Sequence, residues 1–282
     1  MRIVSLLPSA TEIVADLGLA DSLVGRSEEC DYPPRVRDLP VVTASRVDTS
    51  ALGGAEIDAA VRAALAEGRS LYAVDAELLD ELRPDVILTQ DLCTVCAVST
   101  GELAEVWGVR TEAISLGATT IEELLAEIER LAARLGVADE GTRVADATRA
   151  RISTISECVA RLPRPRVAVL EWLDPPFAPG HWVPEMVGAA GGHSVLGTVG
   201  RPSFGVSWDD VRAARPEIAI AAPCGYDRAR AAAEAAACVP DLGCPVVAVD
   251  ANAHFSRSTP RIADGIAELA EILHPGALQA VA

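Results

Sequence analysis

The chain has 282 residues, which is enough to bury one large hydrophobic core or two ordinary ones. Half of the residues are hydrophobic, which excludes a disordered chain, and 41 acidic residues against 24 basic ones give a net charge of −17. A chain this acidic repels phosphate backbones and anionic lipids, so we expect neither nucleic acid nor a membrane surface as its partner.

The first residues and the cysteine content bear on the compartment. No apolar run reaches the length of a membrane-spanning helix. The apolar run at residues 3–7 is too short for a secretory signal, and Pro8 ends it. The seven cysteines are an odd number in a long chain, which is typical of a reducing compartment. These features predict a cytoplasmic protein that is not embedded in a membrane.

Residues 1–118 alternate apolar strands with helices, the pattern of an α/β lobe. Ser9, followed by Glu12 three residues later, indicates a capping box at the start of the first helix. A polar loop after the second predicted strand carries Cys30 and Tyr32. The predicted strands lie at residues 2–7, 23–25, 70–74, 85–90 and 109–115, and helices after the first are predicted at 56–66, 76–82 and 103–107.

One stretch of this lobe indicates a ligand site. Apolar and β-branched residues at 86–88 predict a buried strand, and Asp91, Cys93 and Cys96 follow where that strand ends. In open α/β sheets, ligands bind at the carboxyl ends of the strands.

The pattern returns at residues 215–225, RPEIAIAAPCG. Both stretches open with Arg-Pro and an acidic residue, at 83–85 and at 215–217, and continue as an apolar strand. Cys224 lies at the exit of the second strand. Residues 119–163 show helical spacing with no strand pattern, so they are predicted as a helical connection. Residues 164–282 are predicted as a second lobe, with strands at 166–172, 217–222 and 245–249 and helices at 184–191, 207–214, 228–237 and 259–273. The predicted fold class is therefore α/β, with two Rossmann-like lobes joined by a long rigid helix and a ligand cleft between them.

Aromatic residues concentrate at the predicted strand exits of the second lobe, although they make up only 4% of the chain. Aromatic side chains in a cleft are typical of a site for a large, flat, partly apolar ligand. The alternative is that these rings pack between the lobes or anchor loops. The predicted ligand contacts at all exits are Ser9, Cys30, Tyr32, Asp91, Cys93, Cys96, Trp172, Phe177, His181, Trp182, Trp208, Cys224, His254 and Phe255.

Thiols and imidazoles at the same exits suggest metal or redox chemistry. Cys93 and Cys96 alone do not define a zinc site, because no second cysteine pair follows, and they also fit a redox dithiol. With Cys224 and His254 they become candidate donors to zinc or another soft metal. The alternative is that the cysteines are small buried apolar residues. No hydrolase or nucleotide-binding motif is present, so catalysis is not supported.

Six segments together resemble a known family. They are RIVSLLPSATEIVADLG, CDYPP, LRPDVILTQDLC, DPPFAPGHWVPEMVGAAGG, SWDDVRAARPEIAI and FSRSTPRIADGIAELA. They are similar to the class III substrate-binding proteins of ABC importers, above all to the branch that binds vitamin B12 and iron chelates.

The resemblance implies a corrinoid held by Tyr32, residues 91–96, Phe177, Trp208 and residues 254–255. It also implies that acidic residues, here Glu77 and Asp209, dock to the permease of a transporter.

Two hypotheses follow. The first is a binding protein for cobalamin, or for a related corrinoid or metal chelate, in a cytoplasmic branch of that family. The second is a cytoplasmic metal-binding or thiol-redox protein or enzyme that uses Cys93, Cys96 and Cys224.

Overall fold

The structure is a computed structural model, and it describes residues 1–47, 49, 52–92 and 97–279. The chain forms two α/β units, Met1–Gly117 with Arg130–Gly141, and Ala118–Glu129 with Thr142–Ala282. The predicted α/β fold class is thereby confirmed. The predicted division after residues 118 and 163 stays a prediction. Among the described residues, no helix combines the length and the apolar character needed to cross a membrane.

The first unit is built on a parallel sheet of four strands. Side by side, these are β2 (Leu23–Arg26), β1 (Ile3–Ser5), β5 (Val86–Gln90) and β6 (Glu112–Leu116). A separate antiparallel pair is formed by β3 (Thr43–Ser45) and β4 (Tyr72–Val74). The helices of this unit are α1 (Pro8–Asp16), α2 (Gly54–Ala66), α3 (Ala76–Leu82) and α4 (Thr100–Trp107), with 3₁₀ turns at Ala20–Ser22 and Pro34–Asp38.

The apolar run of β5 explains its central position in this sheet. All five residues of β5 are buried, as expected for a strand covered on both faces by helices. Ile87 packs with Val4 of β1, Leu79 of α3 and Trp107 of α4 in one hydrophobic cluster. This core holds the carboxyl ends of β1 and β5 in fixed positions.

The second unit repeats the design. Its parallel sheet contains, side by side, β10 (His193–Ser194), β7 (Arg166–Leu170), β12 (Ile218–Ala221) and β13 (Val246–Ala248). A small antiparallel sheet contains β11 (Phe204–Gly205), β9 (Pro176–Ala178) and β8 (Trp172–Leu173). Its helices are α7 (Val183–Ala189), α8 (Trp208–Ala213), α9 (Arg228–Cys238), α10 (Ala251–His254) and α11 (Ile262–Leu273).

In the chain, α5 (Ile121–Arg134) and α6 (Ala138–Val159) follow β6 and precede β7. Gly136, with φ at 80°, lies between them, in a conformation that glycine adopts without steric cost. Both helices contribute residues to each unit. The predicted helical connection is thus two helices separated at Gly136, and not one long helix.

The Arg-Pro-acid segments make the same hydrogen bonds in both units. In the first unit the backbone N–H of Arg2 donates to Asp85 Oδ2 over 2.7 Å, and the Asp85 N–H donates to Arg2 O over 2.8 Å. In the second unit Arg166 and Glu217 exchange the same two bonds, each 2.8 Å long. The repeated signal in the sequence therefore corresponds to a repeated junction between a helix and the first strand of each sheet.

Three local predictions are corrected by the structure. Leu7, not Ser9, is the N-cap of α1, because Pro8 occupies the first helical position, which suits its missing N–H. The last helix was predicted at 259–273, but α11 begins at Ile262. The strand predicted at 166–172 ends at Leu170 as β7, and Trp172–Leu173 and Pro176–Ala178 form the separate strands β8 and β9.

Candidate ligand-binding site

Cys30 and Ser9 were predicted ligand contacts, and the structure places both inside the first unit. The Cys30 side chain is completely buried, and Ser9 is 4% exposed. The Cys30 sulfur accepts a hydrogen bond from Thr11 Oγ1 over 3.0 Å and lies 3.3 Å from Ser27 Oγ. We therefore correct the assignment: Cys30 completes a buried group of hydroxyls below the end of β1, where it cannot reach a ligand.

Tyr32 and Asp91 remain at the surface of the first unit. Tyr32 is 41% exposed. The Asp91 carboxylate accepts bonds from the backbone N–H and the hydroxyl of Thr100, both 2.9 Å long. Burial raises the pKa of Asp91, but bonds from the Thr100 backbone, the Ser115 hydroxyl and the Thr100 hydroxyl outweigh it, so the pKa is lowered. Asp91 thus joins the end of β5 to the start of α4.

Cys93 and Cys96 lie outside the described residues. Their predicted roles as ligand contacts, metal donors or redox dithiol stay predictions.

In the second unit, Trp172, Tyr226 and Arg230 form a stack at the carboxyl side of the sheet. The Trp172 and Tyr226 rings meet edge to face, with centroids 5.5 Å apart and planes at 69°. The Arg230 guanidinium carbon lies 3.9 Å from the centroid of the Tyr226 ring, a cation–π contact. Tyr226 is only 3% exposed, whereas Trp172 is half-buried and Arg230 is exposed. The stack therefore leaves part of Trp172 accessible, together with Arg230.

Phe177, His181 and Trp208 are also half-buried. Phe177 pairs with Trp172 across β8 and β9. Burial lowers the pKa of His181, which favours the neutral imidazole. Trp208 opens α8 and packs partly against the core of the unit. All three retain surface for a ligand.

Trp182 and Phe255 are different, and their assignment as ligand contacts is corrected. They are 8% and 2% exposed, and Trp182 Nε1 donates to Phe255 O over 3.0 Å. An aromatic ring buried in this way contributes to the core, and the indole N–H is satisfied inside the unit. Both residues therefore belong to the core of the second unit and do not contact a ligand directly.

Glu171, which follows directly after β7, was not among the predicted ligand contacts. Glu171 Oε1 accepts the N–H of Gly180 over 3.0 Å, and Glu171 O accepts the N–H of Cys224 over 3.0 Å. The pKa of Glu171 is raised from 4.5 to about 8, and burial of the carboxyl is the largest cause. The bond from Gly180 opposes this rise, the charge of Cys224 adds to it, and a hydrogen bond with Ser203 opposes it. An acidic residue directly after the apolar strand RVAVL was the available signal.

This carboxyl makes stability depend on pH. Because folding raises its pKa, the folded chain keeps a proton that the unfolded chain releases above about pH 4.5. The free energy of unfolding therefore falls as pH rises from about 4.5 to about 8. We expect Glu171→Gln to be more stable than the parent protein at pH 9 by on the order of a few kcal/mol, and to lose that advantage near pH 5.

Urea unfolding at the two pH values measures this difference. The variant Glu105→Gln, at an exposed position of α4, is the matched control and should follow the parent protein. An advantage of Glu171→Gln that is the same at both pH values would contradict the assignment.

The predicted metal donors do not assemble within the described part of the chain. No three His, Cys, Asp or Glu residues there come together as a metal ion requires. Cys224 is exposed at the exit of β12, whereas His254 bonds to Glu268, with 3.1 Å between Nδ1 and Oε2. A resident zinc or other soft metal held by Cys224 and His254 is therefore not supported.

Glu77 and Asp209 occupy equivalent places in the two units. Each is the second residue of a helix, α3 or α8, and each is exposed. The helices begin with matching caps, since the side chains of Asp75 and Ser207 accept backbone N–H groups three residues later. Asp209 also pairs with Arg212 over 2.8 Å.

Solved structures share this fold over nearly the whole chain. The periplasmic vitamin B12 binding protein BtuF of Vibrio cholerae is 24% identical, with a TM-score of 0.66 over 96% of each chain. The periplasmic heme-binding protein RhuT from Roseiflexus sp. RS-1 is 21% identical, with a TM-score of 0.69 over 98% of each chain. These likenesses establish the fold.

Curated relatives are similar in sequence over most of the chain. The vitamin B12-binding protein of Yersinia pestis (strain Pestoides F) is 23% identical over 267 residues, which are 93% of this chain and 82% of the relative.

The model of one protein family, described as "Periplasmic binding protein", matches residues 3–236, well over half of the chain. The predicted cytoplasmic location is therefore wrong, because the family and the solved relatives are periplasmic. That prediction rested on the first residues and on the odd number of cysteines, and the match along the chain outweighs both. The chain belongs to the periplasmic binding protein family, among the class III substrate-binding proteins whose motifs it carries.

Proposed function

We propose that the protein binds cobalamin, or a closely related corrinoid, and passes it to the permease of an ABC importer. The observation that carries the proposal is the stack of Trp172, Tyr226 and Arg230 at the carboxyl side of the second sheet. The names of relatives such as the Yersinia pestis vitamin B12-binding protein support the choice of ligand.

The chemistry of the stack suits a corrinoid. A corrin is a large, nearly flat macrocycle with apolar faces and amide side chains at its rim. The half-buried faces of Trp172 and Phe177 offer apolar contact to such a ring. The rigid packing of Tyr226 beneath Trp172 reduces the entropy that the indole loses when a ligand binds.

The first unit supplies further proposed contacts. Tyr32 offers an exposed ring with a hydroxyl, and Asp91 a carboxylate that accepts hydrogen bonds from amides. Cys224 adds a small polarizable side chain at the exit of β12. The thiol-redox or metal-dependent alternative uses Cys93, Cys96 and Cys224. The first two lie outside the described residues, and no observation on Cys224 favours it.

Docking to a permease is proposed through Glu77 and Asp209. Their carboxylates stand exposed at the first turns of equivalent helices in the two units. Charged groups at the surface of each unit suit recognition by guanidinium groups of a partner.

Trp172→Ala tests the proposed ligand contact. We expect the variant to bind cyanocobalamin about tenfold more weakly, since loss of one aromatic contact costs about 0.5–1.5 kcal/mol beyond the buried area. Quenching of tryptophan fluorescence by the corrin reports binding by the parent protein, and equilibrium dialysis compares it with the variant.

Val109→Ala provides the control. Val109 is 89% exposed and lies at the amino end of β6, away from the strand exits. It should leave the affinity unchanged. Equal affinity of Trp172→Ala and the parent protein would remove the stack from the binding site.

A further inference from the structure

His254 is held in one orientation by an acidic neighbour. Its Nδ1 lies 3.1 Å from Glu268 Oε2, and 24% of its side chain is exposed. A carboxylate accepts, so the imidazole donates its Nδ1–H and carries its lone pair on Nε2. This pairing of carboxylate and imidazole is the arrangement that orients metal-binding histidines in proteins and raises their basicity.

The charge of Glu268 is balanced without the histidine. Arg228 Nη2 donates to Glu268 Oε1 over 2.6 Å, and the Glu268 side chain is only 14% exposed. Arg228 therefore supplies a positive charge to Glu268 beside the imidazole. A neutral imidazole is the form that binds metals.

The backbone around His254 is also fixed. The Asp250 side chain accepts the Ala253 N–H over 2.9 Å, which caps α10. Gly265 of α11 lies so close that a Cβ at that position would be 2.8 Å from His254 O and 3.1 Å from His254 Cβ. The short helix α10 follows β13 at the carboxyl side of the sheet, where ligands of this fold class bind.

We propose that His254 Nε2 is the axial ligand of the metal in the bound chelate, which for a corrinoid is cobalt(III). The inference rests on the proposed function and adds the coordination of the ligand to it. One protein donor is sufficient, because the macrocycle supplies the four equatorial nitrogens, as in haem proteins with a proximal histidine. This agrees with the absence of a three-donor site among the described residues.

The step is a ligand exchange without oxidation or reduction. In aquacobalamin the cobalt–oxygen bond to water breaks, the Nε2 lone pair forms a cobalt–nitrogen bond, and water leaves. In cyanocobalamin that axial position holds cyanide, which does not exchange for an imidazole, so its binding reports the site without this exchange.

The test is a visible absorption titration of the protein with aquacobalamin, beside equilibrium dialysis with cyanocobalamin. We expect a saturable change in the cobalt bands at one equivalent for the parent protein and for His193→Gln, the control at an exposed histidine. His254→Gln, with a circular dichroism spectrum like that of the parent protein, should show no change in the cobalt bands with aquacobalamin. Glu268→Gln should weaken aquacobalamin binding about ten- to a hundredfold, as expected for loss of an orienting carboxylate.

The outcomes separate the two proposals. The axial role would be overturned if the parent protein binds one equivalent of cyanocobalamin but leaves the aquacobalamin spectrum unchanged. It would also be overturned if the spectral change persists in His254→Gln. Either result would leave the proposed function standing. Failure of the parent protein to bind cyanocobalamin would overturn both.

Discussion

We expect Phe255→Ala to lower the free energy of unfolding by about 3–5 kcal/mol, the usual cost of deleting a buried aromatic ring. Phe255 is 2% exposed and is among the largest fully buried side chains of the chain. The deletion leaves a cavity at the end of α10. The hydrogen bond from Trp182 Nε1 to the backbone oxygen of residue 255 does not involve the ring and remains. Urea unfolding followed by circular dichroism measures the change.

Phe204→Ala is the matched control. Phe204 is 50% exposed on β11, so its removal should change stability by less than about 1 kcal/mol. If the two variants lose equal stability, Phe255 is not a core residue. If Phe255→Ala instead keeps its stability and loses ligand affinity, its assignment as a direct ligand contact returns.

Gly180→Ala is expected to destabilise the second unit by about 1–3 kcal/mol, because the added methyl group overlaps backbone atoms that cannot move independently. A Cβ at position 180 would lie 2.2 Å from the nitrogen of Ser203 and 2.7 Å from the carbonyl carbon of Pro202. Relief of this overlap moves the Gly180 N–H away from Glu171, which accepts it over 3.0 Å. The variant should therefore lose ligand affinity as well as stability, measured by thermal unfolding and by dialysis.

Gly101→Ala serves as the comparison. A Cβ there would have no atom nearer than Ser99 Oγ at 3.9 Å, and the position lies in the first turn of α4. Alanine suits a helix, so we expect no loss of stability. A Gly180→Ala variant as stable as Gly101→Ala would show that the chain around Ser203 is not packed against residue 180.

The sheets could be predicted because buried parallel strands have an unambiguous pattern. The apolar runs around Ile87 and in Arg166–Leu170 have no other plausible role, and the helical spacing on both sides of Gly136 predicts α5 and α6. The short strands β8, β9 and β11 were not predicted, because two or three residues cannot show an alternating pattern. The Ser9 prediction failed because a capping box and a proline at the first helical position compete for the same turn.

The candidate site could be placed at the strand exits, but the orientation of its side chains could not. Trp172 and Phe255 look alike in sequence, as aromatic residues after a strand, yet Trp172 is half-buried and Phe255 is inside the core. Cys30 is buried for the same reason: cysteine packs as well inside as at a surface. Glu171 was missed because only three-dimensional burial distinguishes it from an ordinary surface acid.

The measurement that tests the account most directly is equilibrium dialysis of the purified protein with cyanocobalamin, repeated in competition with haem. We expect one equivalent of cyanocobalamin to bind per chain, and haem at equal concentration not to displace it. Binding of haem in its place would assign the protein to a different chelate. Binding of neither would contradict the proposed function.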